Sequence, residues 1–184
     1  MDQRADLHRS SRAAGSRALS VDVRAPHVDD VDGLARVHVE GWRETYAGQL
    51  PDSAFGDDAL ERRRQMWTSI LTSPLRPTRR VAVATSNGHI VGIALADEPR
   101  DAADRAAGVA QELYVLYLLR AHHGSGLGQR MLDAVLDDRS AMLWVAKDNP
   151  RAQAFYRRNG FALDGTEMPA DDVPSFIECR MVRR

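Results

Sequence analysis

The sequence has little cysteine, no long apolar run and no basic excess, and each of these shortages excludes a class of protein. Cys179 has no second cysteine for an intrachain disulfide, and no Cys/His spacing is typical of a zinc site. No apolar run approaches the ~20 residues of a membrane helix. The net charge of -1 lacks the basic excess of most nucleic-acid binders. We therefore expect a cytoplasmic protein without metal, membrane or nucleic-acid partners.

The 184 residues, 43% of them hydrophobic, suit one globular domain of ordinary size. The first 19 residues are polar, rich in Arg, Ser and Ala, and lack the apolar centre of a secretory signal. We expect residues 1–19 to be a flexible N-terminal extension and residues 20–184 to form the domain.

Strand and helix signals alternate along the domain. Apolar alternation or continuous apolar runs predict strands over 20–24, 80–85, 89–96, 112–119, 141–146, 161–163 and 175–182. Helical spacing predicts helices over 28–46 and 57–71, one beginning at Leu127, and one between Asn149-Pro150 and Gly160. Asn87-Gly88 predicts a tight hairpin turn, and residues 97–107 a polar loop.

A glycine-rich loop, HHGSGLG over 122–128, lies between a buried strand and a helix. Glycines let the backbone approach a ligand, and the free N–H groups of the following helix favour an anion such as pyrophosphate. The loop lacks the Gly-Lys-Ser/Thr of a P-loop, and its third glycine comes one residue too early for a dinucleotide fingerprint. A plain tight connection without a ligand is the alternative.

Three segments in order resemble the GNAT superfamily of N-acetyltransferases. LYLLRAHHGSGLGQRML over 116–132 is similar to its acetyl-CoA segment, a strand followed by Gln/Arg-x-x-Gly-x-Gly/Ala and a helix. NPRAQAFYRRNGF over 149–161 is similar to its Asn-x-x-Ala-x-x-Phe-Tyr-x-x-x-Gly-Phe pattern, and HVEGWRETYAGQLP over 38–51 resembles the first helix of many bacterial members. The resemblance implies an α/β (α+β) GNAT fold over 20–184, with a mixed sheet of six to seven strands and about four helices.

The resemblance implies acetyl-CoA as co-substrate, without a metal. Its pyrophosphate would meet the loop residues His123, Gly124, Ser125, Gly126, Leu127 and Gly128. His123 stands where the family usually has Gln or Arg, and Ser125 where a basic residue is frequent. Arg120 and Arg130 are the expected substitutes for that cation. The backbone of Leu118 and Leu119 falls where the family binds the pantetheine arm.

The resemblance also implies catalytic roles, each with a structural alternative. Tyr156 matches the tyrosine thought to protonate the departing thiolate, and is otherwise a core aromatic. Asn149 matches a residue near the thioester, and is independently a helix N-cap. Only about one alkyl amine in 2,500 is neutral at pH 7, so a base helps. Glu112 matches a general-base glutamate, and is otherwise a strand-end carboxylate in water.

Trp42 and Tyr46 lie four residues apart and so share one face of the first predicted helix. Two interpretations stay open: both rings pack in the core, or both line the pocket of the acceptor amine. Cys179, with no His or Asp motif nearby, is expected to be a core residue and not a nucleophile.

These observations predict an enzyme that moves an acetyl group directly from acetyl-CoA to a primary amine of a small molecule, peptide or protein. The competing hypothesis is a non-catalytic acyl-CoA-binding regulatory domain on the same fold, because a fold does not determine a function. The resemblance adds a homodimer as a possible assembly. The residues leave the acceptor open.

Overall fold

The computed structural model describes residues 20–170 and 176–184, so the predicted extension over 1–19 lies outside the described residues, as do 171–175. The strands are β1 Val21–Arg24, β2 Arg80–Ser86, β3 His89–Asp97, β4 Gln111–Leu118, β5 Ala141–Ala146, β6 Ala162–Pro169 and β7 Ile177–Arg183. The α-helices within these ranges are α1 Val31–Tyr46, α2 Asp57–Thr72, α3 Ala102–Ala106, α4 Leu127–Leu136 and α5 Pro150–Arg158.

The strands form one mixed sheet in the order β1-β2-β3-β4-β5-β7-β6, which confirms the predicted α+β fold class. The Asn87-Gly88 turn is confirmed too, since both residues have positive φ, of 50° and 82°. The predicted loop over 97–107 was wrong in part, because it contains α3. Asp101 caps that helix by accepting a hydrogen bond from the backbone N–H of Ala103, a local signal that outweighs the polar composition.

Two further boundaries differ from the prediction. The first helical region begins with a 3-10 turn over Val28–Asp30 before α1. The strand predicted over 161–163 continues to Pro169 as β6. Most β6 residues are exposed, so the apolar alternation that marks a half-buried strand is missing. The pairing with β7 determines this edge strand instead.

Helices cover both faces of the sheet and make two main cores. On one face, α1 and α2 bury Leu34 and Trp67 against Ile93 of β3. On the other face, α4 buries Leu132 against Leu143 of β5. The central strand β3 is buried along nearly its whole length, as expected of a strand covered on both sides.

The two central strands β4 and β5 separate along their length. They pair in parallel only from Gln111↔Ala141 to Leu113↔Leu143. Beyond that point β4 continues beside β3 as far as Leu118, and β5 continues beside β7 as far as Ala146. The sheet therefore has a wedge-shaped opening between the carboxyl ends of β4 and β5, in front of the glycine loop.

Candidate active site

A cleft of about 470 Å³ lies at this opening. Its walls come from the end of α1, the loop after β4, the β5–α5 connection and the start of β7. Tyr46, His123, Asn149 and Phe176 are among the residues that line it. Segments that are distant in sequence thus meet where the sheet separates, as ligand sites in open α/β sheets commonly do.

The glycine loop has the geometry of an anion site at one end of the opening. Gly124 and Gly126 have φ of 79° and 81°, and a Cβ atom at either would have open space around it. The N–H of Arg130 donates to the carbonyl of Gly126, so the N–H groups of residues 127–129 precede the first intrahelical bond of α4. The N–H of Leu127 donates to Ser125 Oγ at 3.4 Å, which leaves those of Gly128 and Gln129 for a ligand. A helix N-terminus with uncovered N–H groups favours a phosphate.

The predicted loop residues contribute in different ways. The Leu127 side chain is fully buried in the core, so only its main chain can meet a ligand. A Cβ on Gly128 would lie 3.8 Å from the Phe155 ring, which places that glycine against α5. Ser125 caps the turn, because its hydroxyl donates to the carbonyl of His122 at 2.6 Å.

The cation near this loop comes from α5. Arg151 Nη1 lies 2.6 Å from His123 Nδ1, and His123 Nε2 lies 2.8 Å from the carbonyl oxygen of Leu118. Arg151 Nη1 also lies 2.9 Å from His123 Nε2. If Nε2 donates to the Leu118 carbonyl, Nδ1 is the nitrogen that accepts from Arg151. The two arginines expected as substitutes have other partners in this structure: Arg120, which also lines the cleft, donates to the carbonyl of Glu44, and Arg130 forms an exposed pair with Asp22 at 3.3 Å. Their role as the cation stays a prediction.

Leu118 and Leu119 differ in what their backbones can offer. The N–H of Leu119 donates to the carbonyl of Val91 on β3, and the carbonyl of Leu119 accepts from the N–H of His122. Because hydrogen bonds alternate along an antiparallel strand, the N–H and C=O of Leu118 face the opening on the other side. The structure therefore favours Leu118 as the residue that meets a strand-like ligand.

Asn149 and Tyr156 both lie on α5. The side chain of Asn149 accepts a hydrogen bond from Ala152 N at 3.0 Å, so the N-cap is confirmed, and Asn149 also lines the cleft. Tyr156 packs edge-on against Phe155 and Phe161 and is 8% exposed. Burial raises the pKa of its hydroxyl, so Tyr156 is protonated at neutral pH. Its role as an acid stays a prediction.

Glu112 is not brought to the cleft. Its carboxylate is 1% exposed and accepts hydrogen bonds from the N–H and the Nε of Arg100, at 2.9 and 3.0 Å. It lies six residues before Leu118 on β4, which is about 20 Å along a strand. The geometry therefore does not support Glu112 as the base. The sequence could not show this, because Arg100 reaches the carboxylate from a separate loop.

Trp42 and Tyr46 contact each other edge-on, with ring centroids 5.6 Å apart, but only Tyr46 lines the cleft. The Trp42 ring packs edge-on against Phe55, with Arg63 over its face, in a small cluster beside α2. Tyr46 lines the cleft and stacks on Phe176 with ring centroids 5.0 Å apart. Burial and the charge of Glu178 raise the pKa of Tyr46 to about 12.

Tyr117 is a residue near the cleft that sequence reasoning missed. Its ring packs closely on α1, because a Cβ on Gly41 would approach Tyr117 Cβ to 2.9 Å. Burial raises the pKa of Tyr117, and Tyr46 raises it further, with smaller effects from Tyr156 and Glu178. The sequence signal that could have found Tyr117 was Gly41 within the predicted first helix, because a glycine inside a helix indicates that another segment packs closely there.

Cys179 is buried, and burial raises the pKa of its thiol. That environment agrees with the expected core role, since a reactive thiol has a lowered pKa. Over residues 20–170 and 176–184, no group of three or more His, Cys, Asp or Glu side chains could hold a metal ion. Within the same ranges, no helix has the length and apolarity to cross a membrane.

Residues 77–163 match the acetyltransferase (GNAT) domain family. The chain is 35% identical over 98 residues to the uncharacterized N-acetyltransferase Rv2669 of Mycobacterium tuberculosis, a match that covers 49% of this chain and 57% of the relative. It is 28% identical to the uncharacterized N-acetyltransferase YuaI of Bacillus subtilis, over 71% of this chain and 74% of that protein. The chain thus spans little more than half the length of the first of these relatives.

Solved structures show the same fold. The structure of PH1933 from Pyrococcus horikoshii has a TM-score of 0.63 at 19% identity, covering 90% of this chain and 98% of that one. The PaiA N-acetyltransferase of Thermoplasma acidophilum, crystallised with coenzyme A, has a TM-score of 0.57 at 19% identity, covering 90% and 99%. Residues 77–163 are thus similar to the acetyltransferase (GNAT) domain family, and these solved structures share the fold.

Proposed function

We propose that the protein transfers an acetyl group from acetyl-CoA directly to a primary amine. The observation that carries this proposal is the separation of β4 from β5 directly in front of the anion site at α4. This arrangement offers one long ligand a place for its phosphates and a strand edge for its amide-bearing arm. The PaiA relative crystallised with coenzyme A has the same fold.

The residues present fit such a ligand. The uncovered N–H groups at the start of α4 suit a pyrophosphate, and Arg151 supplies a positive charge beside them where Ser125 cannot. The N–H and C=O of Leu118 face the opening and suit the amides of a pantetheine arm. The carbonyl of Leu118 already accepts from His123, and a carbonyl oxygen has a second lone pair for another donor.

Acetyl-CoA supplies an activated acyl group on a thiol leaving group. Main-chain N–H groups along the open edge of β4 stabilise the negative charge that develops on the carbonyl oxygen. Tyr156, protonated at neutral pH because its pKa is raised, is the group that returns a proton to the leaving sulfur. Asn149 fixes the start of α5 and with it the position of Tyr156.

The acceptor enters from the side of Tyr46 and Phe176, whose stacked rings form a flat apolar wall. Glu44 lines the same end of the cleft, and the charge of Glu178 acts on Tyr46. Negative charge beside an apolar wall favours a cationic amine on approach. The amine then gives its proton to water at this end of the cleft, because the carboxylate of Glu112 is held by Arg100.

The second candidate remains a non-catalytic acyl-CoA-binding regulatory domain. Two observations favour it: the carboxylate of Glu112 is held by Arg100, and Tyr156 packs within the core. The anion site and the open strand edge would serve such a domain equally well. Only turnover with an amine separates the two functions.

The proposal also covers the domain, the cellular compartment and the assembly. Residues 20–184 act as one catalytic domain, and the single buried cysteine agrees with a reducing compartment such as the bacterial cytoplasm. A homodimer is the assembly we expect from the family resemblance.

The test is a screen of amines with acetyl-CoA, in which free thiol release reports transfer. The panel holds polyamines, aminoglycosides, amino acids, and peptides with a free N-terminus or a lysine. We expect thiol release above background with at least one amine and none from Gly126→Asp. Binding of acetyl-CoA without transfer to any amine would favour the regulatory domain.

A further inference from the structure

The sequence contains 24 arginines and one lysine, Lys147. The two cations differ chemically, although both carry a positive charge. A guanidinium stays protonated in proteins and is not a nucleophile, whereas an ε-amine loses its proton and attacks carbonyl carbons. Lys147 is therefore the one side-chain amine of this chain that could receive an acetyl group on nitrogen.

Lys147 lies in the candidate active site. It follows the last residue of β5 directly and lines the same cleft as Asn149. Both polar backbone groups of Lys147 form hydrogen bonds. Its N–H donates to the carbonyl of Ile177 at 2.9 Å, and its carbonyl accepts from Gln153 Nε2 at 2.8 Å. The side chain is 53% exposed, so a flexible stem starts from a fixed point on the cleft wall.

The amine is paired but not enclosed. Lys147 Nζ lies 2.8 Å from Glu167 Oε2, and Glu167 is itself 44% exposed. The hydrogen bond to Glu167 and its charge raise the pKa of Lys147, so the amine is protonated at rest. Exposed ion pairs contribute little stability and open readily, which lets the stem turn towards the opening between β4 and β5.

We propose that Lys147 is a self-acetylation site of this protein, a proposal that rests on the proposed function. The amine first gives one proton to solvent. Its nitrogen then forms a bond to the carbonyl carbon of the acetyl thioester, and the bond between that carbon and sulfur breaks. The nitrogen loses a second proton while the sulfur takes one up, so the products are the N-acetyl side chain, the free thiol and one released proton.

Acetylation would change the cleft wall in a defined way. It removes the only lysine charge, ends the ion pair with Glu167 and leaves a longer, neutral side chain at the cleft. An amine acceptor would then meet a narrower entrance that lacks the Lys147 charge. The modified protein should therefore show a changed KM for the acceptor.

The experiment incubates the full chain with acetyl-CoA and follows intact mass, with peptide fragmentation to locate the added acetyl group. The α-amino group of the same chain is an internal reference. At pH 7.5, reference pKa values make an α-amine neutral roughly 250-fold more often than an ε-amine. Reaction in bulk solution therefore modifies the α-amino group first. We expect Lys147 to be modified first, at a rate independent of protein concentration.

Two variants sharpen the result. Lys147→Arg keeps a cation opposite Glu167, and we expect it to lose the modification at this position. Adding Arg62→Lys to that variant restores one lysine, at an exposed position on α2 that does not line the cleft. We expect that lysine to react no faster than bulk chemistry allows. Equal rates for lysine at positions 62 and 147 would overturn the proposal.

A thermal shift on the same samples separates this proposal from the proposed function. If acetyl-CoA raises the melting temperature but Lys147 stays unmodified, self-acetylation is refuted and the acetyltransferase proposal stands. If acetyl-CoA neither binds nor modifies the chain, both are refuted. Modification that an excess of free coenzyme A suppresses supports acetylation from the bound co-substrate.

Discussion

The two ends of the cleft are built differently. The cofactor end is made of one continuous segment, β4 with its glycine loop and α4, to which α5 adds Arg151. The acceptor end brings together the end of α1 and the start of β7, in the stacked pair of Tyr46 and Phe176. These two residues are 130 positions apart. A main-chain site tolerates changes of side chain, whereas a site of two distant rings depends on the fold around it.

The contrast explains why the loop keeps its geometry although it departs from the family pattern. The side chains of His123 and Ser125 differ from those of the family pattern. The positive φ angles of the glycines and the exposed N–H groups are backbone features, which this difference does not affect. At the acceptor end no backbone geometry compensates for a lost ring. We therefore expect mutations to act on acetyl-CoA binding at one end and on acceptor KM at the other.

The largest expected effect is at Gly126. Gly126→Asp should abolish the rise in melting temperature that acetyl-CoA causes, because it places bulk and negative charge where a pyrophosphate must lie. Gly108→Asp is the matched control: Gly108 also has positive φ, 84°, and open space at its Cβ, but it lies before β4, away from the cleft. Both variants carry the same backbone strain. A normal shift in Gly126→Asp would refute the anion site.

Tyr156→Phe should lower turnover by about 10²-fold if general acid catalysis is lost, with little change in acetyl-CoA affinity. The measurement is kcat under conditions where the chemical step is rate-limiting. Phe keeps the contacts with Phe155 and Phe161, so the melting temperature should hold. An unchanged rate would leave Tyr156 as a core aromatic.

Arg151→Gln should weaken acetyl-CoA binding by about tenfold, or ~1.4 kcal/mol, because a charge-assisted contact with phosphate is lost. The loss should shrink at high salt, since screening already weakens that contact. Arg158→Gln, at an exposed position on the same helix, is the control and should bind normally. Titration calorimetry at two ionic strengths measures both. Equal behaviour of the two variants would remove Arg151 from the phosphate site.

The smallest effect is expected at Tyr46. Tyr46→Phe keeps the ring stacked on Phe176 and removes only the hydroxyl, which should raise acceptor KM by about three- to tenfold and leave acetyl-CoA KM unchanged. Trp42→Phe is the comparison, because Trp42 does not line the cleft and Phe keeps an aromatic ring against both Tyr46 and Phe55. That change should lower the melting temperature and leave acceptor KM unaltered. Normal acceptor kinetics with a lower melting temperature in Tyr46→Phe would refute the pocket role.

Sequence reasoning succeeded where the physical cause is local. The Asn87-Gly88 turn, the N-cap of Asn149 and the glycine loop each depend on a few neighbouring residues, and each was predicted. It failed where a partner comes from elsewhere in the chain. Glu112 was expected to act as a base, but Arg100 occupies its carboxylate.

The sequence by itself determined the fold class, the order of the elements and the place of the glycine loop. Periodicity, caps and glycines act within one element or one turn, so they can be read in order along the chain. Only the tertiary structure decided that Arg151 supplies the cation, that Tyr46 and not Trp42 lines the cleft, and that Lys147 lies on its wall. Those outcomes depend on how helices and strands meet in space, and the distance between two side chains is a property of the packed molecule.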